Sequence, residues 1–275
     1  RRLITAMNLL FTLNKNYIDQ LKVCVRSITR FPIEEGWEVY IIIQDSENEF
    51  EKLKRQMEET EGMRVHLIKI DEDAFKDFPE TNKYSRVVYY RIFASFILPK
   101  NIDRILYLDP DIVVIKPLNQ LYNMDFEGNC FIAASHTKEI LTEINRVRLG
   151  VKNDIPYINS GVMLMNLAEL RKVQSEREVI DYVNKKGERF ILPDQDIISA
   201  VYGEKIKLID TLKYNISDRL IVLNNLNPLE NEIIDMDWVI KNAVIIHYYG
   251  DNKPWKEKYK GILDVFYNEV ADTIS

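Results

Sequence analysis

The stretch Ile105-Leu106-Tyr107-Leu108-Asp109-Pro110-Asp111-Ile112-Val113-Val114 decides the fold. Its apolar, β-branched residues read as strand buried on both faces, as in a parallel sheet covered by helices. Two carboxylates flanking a proline interrupt it. A strand interior rejects proline, and buried carboxylates are costly unless paired or bound to metal. One strand therefore ends near Leu108, the chain turns at Pro110, and Asp109 and Asp111 project from the strand's carboxyl end. Residues two apart in extended chain share one face. The pair is thus a site for a hard divalent cation carrying phosphate oxygens. Read instead as a plain turn, with Asp109 capping and Asp111 solvated, the acids would belong to a surface loop, whereas they interrupt a buried run.

Upstream, strands alternate with helices. Met7 to Leu13 reads as a first strand, followed by a polar turn at Asn14-Lys15-Asn16-Tyr17. Ile18, Leu21, Val25 and Ile28 recur at helical spacing before Pro32. Trp37 to Ile43 is a second strand. Ser46 is the expected N-cap of a charged helix through about Glu59, ended by Gly62, and Arg64 to Ile70 is a third strand. Ser85 to Leu98 reads as one helix leading into the Asp109/Asp111 strand. This order predicts an α/β fold with a doubly wound sheet. Downstream, short strands are expected at Asn129 to Ala134, Val162 to Met165, Ile206 to Ile209 and Val244 to His247. Helices are expected at Asn119 to Met124, Leu167 to Val173, Glu176 to Lys185, Gln195 to Tyr202 and Asp237 to Asn242. Asp210 to Glu232 is asparagine-rich and reads as irregular, and the last residues from Asp264 as a solvated helix.

The chain has 275 residues, 46% apolar and 29% charged, so a substantial packed core is expected. No linker or repeat divides it, and residues beyond about 118 read as an excursion built onto the first half. The formal charge of -6, with acids and bases interspersed, argues against a nucleic-acid footprint, which needs a basic face. Cys24 and Cys130 lie in apolar surroundings and read as core thiols of a reducing compartment. There is no signal-peptide pattern and no apolar run long enough to span a bilayer. A cytoplasmic protein is expected, with at most peripheral contact at the inner face of a membrane.

The histidines differ in promise. His66 lies in a strand and His136 follows one, so both read as structural or exposed. His247 ends the apolar run Ala243-Val244-Ile245-Ile246 and precedes an aromatic, glycine-containing loop. Alone it would be a strand-end histidine; beside an Asp-x-Asp pair it is a candidate third metal ligand, since imidazole and carboxylate together suit manganese. Lys253, six residues on, can bring a cation to the phosphate region. Asp194-Gln195-Asp196 opens a helix after Pro193; the acids either favour the helix N-terminus or face a bound polyol. No glycine pair stands two apart, so dinucleotide and P-loop fingerprints are absent, and no serine-hydrolase elbow occurs. What remains is a metal site at strand ends, suited to phosphate chemistry.

Four ordered motifs carry a resemblance. Leu106-Tyr107-Leu108-Asp109-x-Asp111, Asn159-x-Gly161-Val162, Asp194-Gln195-Asp196 and His247-Tyr248-x-Gly250-x-x-Lys253-Pro254-Trp255 together resemble the family 8 retaining glycosyltransferases. Those include bacterial lipopolysaccharide galactosyl- and glucosyltransferases and glycogenin. The resemblance implies a GT-A fold, with a Rossmann-like, mixed and mostly parallel central sheet flanked by helices. It implies one domain over residues 1–275, with a nucleotide half to about 118 and a donor-sugar and acceptor half beyond. It also implies a UDP-hexose donor, a Mn2+ or Mg2+ cofactor and a glycan or glycolipid acceptor in bacterial cell-surface assembly.

Position by position, Asp109, Asp111 and His247 match the metal ligands, and Lys253 and Gly250 match contacts to the diphosphate. Tyr17 matches a residue stacked on uracil, with Thr12, Asn14 and Asn16 lining that pocket; an amide at Asn14 still offers both a donor and an acceptor. Arg91 matches a helix arginine near the donor sugar and phosphate. Asn159, Asp194 and Gln195 match the pocket around the transferred sugar, with Pro110 and Ser160 beside the same ligand. Gln195 matches the group closest to the reacting face, and an amide is a poor nucleophile, so same-face attack is expected rather than a covalent intermediate. Two other classes are a sugar-nucleotide pyrophosphorylase and a non-catalytic nucleotide-sugar-binding protein. The first is expected to carry a glycine-rich loop after the first strand, and no glycine precedes Gly36. The second would bind without turnover. The acceptor is expected between the 125–156 and 210–232 regions.

Overall fold

The computed structural model describes residues 6–71, 73–76, 78, 85–135, 147–151, 155–186 and 189–274. Seven strands form a central sheet in the order β3-β2-β1-β4-β7-β6-β8. These are β1 (Met7–Thr12), β2 (Trp37–Ile43), β3 (Arg64–Lys69), β4 (Arg104–Leu108), β6 (Phe131–Ser135), β7 (Ile158–Asn166) and β8 (Ile206–Ile209). Between β4 and β6, β5 (Ile112–Val114) leaves the sheet and pairs with β9 (Ile245–His247) in a second, two-stranded sheet. Four of the six pairings in the large sheet are parallel; only β7 runs against its neighbours β4 and β6.

Alternation along the strands sends side chains into two cores. Leu9 and Phe11 face the helices Ile18–Thr29 and Glu47–Glu61, with Leu21, Val25, Ile28 and Phe50. Leu10 and Tyr107 face the other layer, with Tyr89, Tyr90, Phe131 and Ile198. A third cluster lies on the small sheet, where Val113, Ile246 and Tyr248 pack against Val239, Leu263, Tyr267 and Val270. The helix Asp264–Ala271 therefore buries one face, where the sequence reads as wholly solvated. Cys24 and Cys130 are buried and free, as expected of core thiols.

Strand direction positions the site. β1 to β4 are parallel, so the loops leaving β1 and β4 open on the same edge, where ligands sit in open α/β sheets. Because β7 runs the other way, its amino-terminal end reaches that edge too. Leu108 pairs with Val162, and Asp109 N–H donates to the Gly161 carbonyl at 2.8 Å. Pairing of Ile112 with His247 brings the ninth strand's end beside Asp111.

Four further sequence expectations need correction. Ser85 to Leu98 is two short helices, Val87–Tyr90 and Ala94–Ile97, because main-chain bonds tighten to i→i−3 at Ile92 and Ala94. Ser46 takes a left-handed conformation (φ 58°) and its side chain caps nothing; its main-chain carbonyl accepts from Glu49 and Phe50. The strand expected from Val162 starts at Ile158, so Asn159, Ser160 and Gly161 lie inside it. The 210–232 region holds helices Thr211–Tyr214 and Asp218–Asn225, capped by the Asp210 and Ser217 side chains. His136 lies outside the described residues.

Candidate active site

Asp109, Asp111 and His247 each bring a ligand atom within 4.8 Å of the others. The three come from the β4–β5 turn and the end of β9. His247 is 1% exposed, and its Nδ1 meets Asn215 Oδ1 at 2.8 Å. An amide oxygen only accepts, so Nδ1 carries a hydrogen and Nε2 is the ring nitrogen left for a metal. Nε2 lies 3.2 Å from Asp111 Oδ1 and 3.6 Å from Asp109 Oδ2, and no hydrogen bond among the described residues satisfies it. A buried ring nitrogen left unpaired, aimed at two carboxylates and oriented through its other nitrogen, is how a histidine ligand is held. The donor set of two carboxylates and one imidazole fits Mn2+.

Gly161 completes the cradle. A Cβ there would overlap His247 Cε1 and stand 2.7 Å from Asp109 Oδ2 and 2.9 Å from His247 Nε2. Only a residue without a side chain lets β7 pass behind the ligands.

Charges around the cluster are matched in pairs. Lys253 Nζ donates to Asp111 Oδ2 and, at 2.7 Å, to the Tyr248 carbonyl. Burial pushes the Asp111 carboxyl up; the His247 ring and the Lys253 ammonium outweigh it and hold the group well below the usual carboxylate range. Arg91 Nη1 bridges Asp109 Oδ1 at 3.0 Å and Asp194 Oδ2 at 2.9 Å, with its guanidinium 4.4 Å over the Tyr107 ring. Burial raises the Asp194 carboxyl, and Arg91 and the Ser160 hydroxyl, 2.7 Å away, offset part of that. Tyr107 OH donates to Asp109 Oδ1 at 2.6 Å, and Thr12 Oγ1 lies 3.3 Å from the same hydroxyl.

Most of these groups line one cleft of about 700 Å³. Of the residues singled out in the sequence, Thr12, Asn14, Tyr17, Arg91, Asp109, Pro110, Asp111, Asn159, Ser160, Asp194, Gln195, His247, Gly250 and Lys253 all line it. Asn16 does not; it is exposed and donates its main-chain N–H to Asn14 Oδ1. Asp196, next to Gln195, turns the other way.

The model of glycosyl transferase family 8 matches residues 8–259. The chain belongs to that family. The lipopolysaccharide 1,2-glucosyltransferase of Escherichia coli (strain K12) is 25% identical over 274 residues, covering 97% of this chain and 77% of the relative. The lipopolysaccharide 1,3-galactosyltransferase of Salmonella typhimurium is 24% identical, covering 90% and 72%. Among solved structures, the galactosyltransferase LgtC in complex with donor and acceptor sugar analogs superposes with a TM-score of 0.80 at 20% identity, over 97% of this chain and 95% of that one. That likeness bears on the fold, which is GT-A as expected.

Several residues of this family 8 chain were not legible as site residues. Asn215 sits in a stretch that reads as loop, and only the third dimension sets it on His247. Arg219 and Tyr249 also line the cleft. Asp196 is a structural residue. Fully buried, it accepts from Arg148 through both Nη atoms at 2.8 and 2.6 Å, from Tyr157 OH at 2.8 Å, and from the N–H groups of Ile191 and Leu192. It therefore fixes the approach to the helix Pro193–Tyr202 that presents Asp194 and Gln195. Removing one partner of a buried ion pair leaves the other uncompensated. Asp196→Ala is expected to lose about 3–5 kcal/mol of stability, read as a lower denaturant midpoint at unchanged m-value; a midpoint within error of the parent would refute the anchoring role.

Proposed function

We propose that the chain transfers a hexose from UDP to a hydroxyl of a glycan, with Asp109, Asp111 and His247 holding Mn2+ or Mg2+ and with retention at the anomeric carbon. The observation that carries this reading is the unpartnered His247 Nε2, facing two carboxylates at the base of a cleft wide enough for a nucleotide sugar. The relatives named above act on lipopolysaccharide, and a cell-surface glycan is the corresponding acceptor class here.

A divalent cation bound there supplies Lewis-acid stabilisation of charge on the leaving diphosphate. The chain's own groups do the rest. Tyr17, 36% exposed at the cleft, offers a ring face for uracil. Asn14 Oδ1 accepts from the Asn16 N–H, which orients the amide and leaves its Nδ2 to donate to a base carbonyl. Lys253 holds a positive charge at the leaving-group end, preorganised by Asp111 and the Tyr248 carbonyl. Asp194, oriented by Arg91 and Ser160, accepts from hydroxyls of the sugar. Arg91 Nε, buried without a partner among the described residues, has a further N–H to give. Gln195 lies at the sugar pocket as an amide, so attack from the face the diphosphate leaves is favoured over a glycosyl-enzyme. The fold in this reading is one glycosyltransferase domain over residues 1–275, nucleotide half to about 118.

The test is a panel of UDP-hexoses with manganese and simple sugar acceptors. UDP and a glycoside with retained configuration are the expected products, and chelation with EDTA should abolish both UDP binding and turnover. Release of UMP instead of UDP would indicate a phosphohydrolase. UDP-sugar binding with no product would indicate a binding protein. A glycosyl-enzyme detected by mass spectrometry would overturn same-face attack.

A further inference from the structure

The cations of the cleft fall into two kinds. Arg91 and Lys253 are buried, and each is matched to carboxylates. Arg219 and Lys256 are exposed, line the same cleft and make no ion pair among the described residues. The acid beside Arg219 in sequence is committed elsewhere. Asp218 accepts from the Tyr259 hydroxyl and, at 2.7 Å, from the Ile262 N–H. That clamp ties the start of the helix Asp218–Asn225 to the segment following Lys256, so the two cations stand on walls held together. Among the described residues, Lys256 Nζ reaches only the main-chain carbonyl of Asp251, at 3.5 Å. Tyr249 adjoins the metal cluster, its ring 5.2 Å from that of His247, and its hydroxyl feels the Arg219 charge.

We propose that Arg219 and Lys256 form an anion subsite for the acceptor, so that the glycan receiving the hexose carries a phosphate or carboxylate near its reacting hydroxyl. This rests on the transfer reading above. Set against Asp109, Asp111 and Asp194, a divalent cation with Arg91 and Lys253 leaves the buried end of the cleft net positive, which is where the donor's diphosphate finds its counter-charge. Arg219 and Lys256 are exposed where Arg91 and Lys253 are buried, so they stand at the mouth of the cleft, where an acceptor enters over a bound donor. In a chain of net charge -6, an anionic acceptor meets general repulsion, and a local pair of unmatched cations reverses it where docking occurs. Guanidinium and ammonium together give both a bidentate fork and a point charge for such a group.

The experiment titrates glucose, glucose 6-phosphate and glucuronate into the full chain holding manganese and UDP, by calorimetry, and repeats it with the double variant Arg219→Gln/Lys256→Gln. Both anionic sugars are expected to bind at least about tenfold more tightly than glucose, the size of one charged contact, and the variant should bring all three within about twofold. UDP should bind the variant, with manganese, as it binds the parent. Equal binding of the three sugars by the parent overturns the proposal. So does a loss of UDP affinity in the variant, which would return the two cations to the donor's diphosphate. Absence of manganese-dependent UDP binding in the parent is a separate failure, of the transfer reading, and the acceptor subsite falls with it.

Discussion

Asp111→Asn is expected to cut the turnover efficiency kcat/KM by roughly 10³-fold or more, on the footing that a metal's charge stabilisation is worth several kcal/mol. The substitution keeps the side chain's shape and removes one of two carboxylates facing His247 Nε2. It also strands Lys253, whose ammonium rests on Asp111 Oδ2. Both consequences act at the end of the cleft where leaving-group charge develops. Manganese-dependent UDP binding should fall with turnover, because the same carboxylate serves both. The fold should tolerate the change, since Lys253 retains the Tyr248 carbonyl and β5 keeps its pairing with β9. Near-normal turnover with normal UDP binding would remove Asp111 from the metal site and, with it, the reading of the cluster.

How much of this was legible follows from which residues act alone and which act through the fold. The Asp109-Pro110-Asp111 turn was readable because burial, proline and charge conflict within six residues. His247 was readable as a candidate only, since its distance from Asp111 is set by the pairing of Ile112 with His247, across a span of chain no local pattern reports. The helices at 211–214 and 218–225 were lost to an asparagine-rich composition, although Asp210 and Ser217 are ordinary N-caps. Asp194 and Asp196 look alike in sequence, both in the first turn of one helix. The structure separates them: Asp194 faces the cleft through Arg91 and Ser160, and Asp196 is locked inward by Arg148 and Tyr157. Their directions differ by the helical rotation of two residues, which composition does not show. The paired motifs located the machinery; the supporting groups, Asn215 and Tyr107 among them, are defined by contacts across the sheet.

Gly161→Ala carries the second large effect, and it arises from a residue with no functional group. In the sequence Gly161 is one member of a matched motif, and nothing local explains why it is glycine, because its φ is not among those that favour glycine. The reason is contact. β7 crosses directly behind the ligands, so an added methyl would collide with the His247 ring and crowd Asp109 Oδ2 at 2.7 Å. Neither neighbour has room to yield: His247 is fixed by Asn215 through Nδ1, and Asp109 by Tyr107, by Arg91 and by its own N–H on the Gly161 carbonyl. Overpacking of this kind costs about 1–3 kcal/mol of stability, small enough for the chain to fold. The loss at the metal should be larger than that figure implies, since displaced support for a ligand weakens metal affinity about 10–100-fold, and here the ligands themselves are displaced. Manganese affinity, followed by the loss of the free-ion electron paramagnetic resonance signal, should therefore fall at least that far, with a folded, slightly less stable chain. A folded Gly161→Ala chain that binds manganese as tightly as the parent would show that Asp109 and His247 do not hold the ion together.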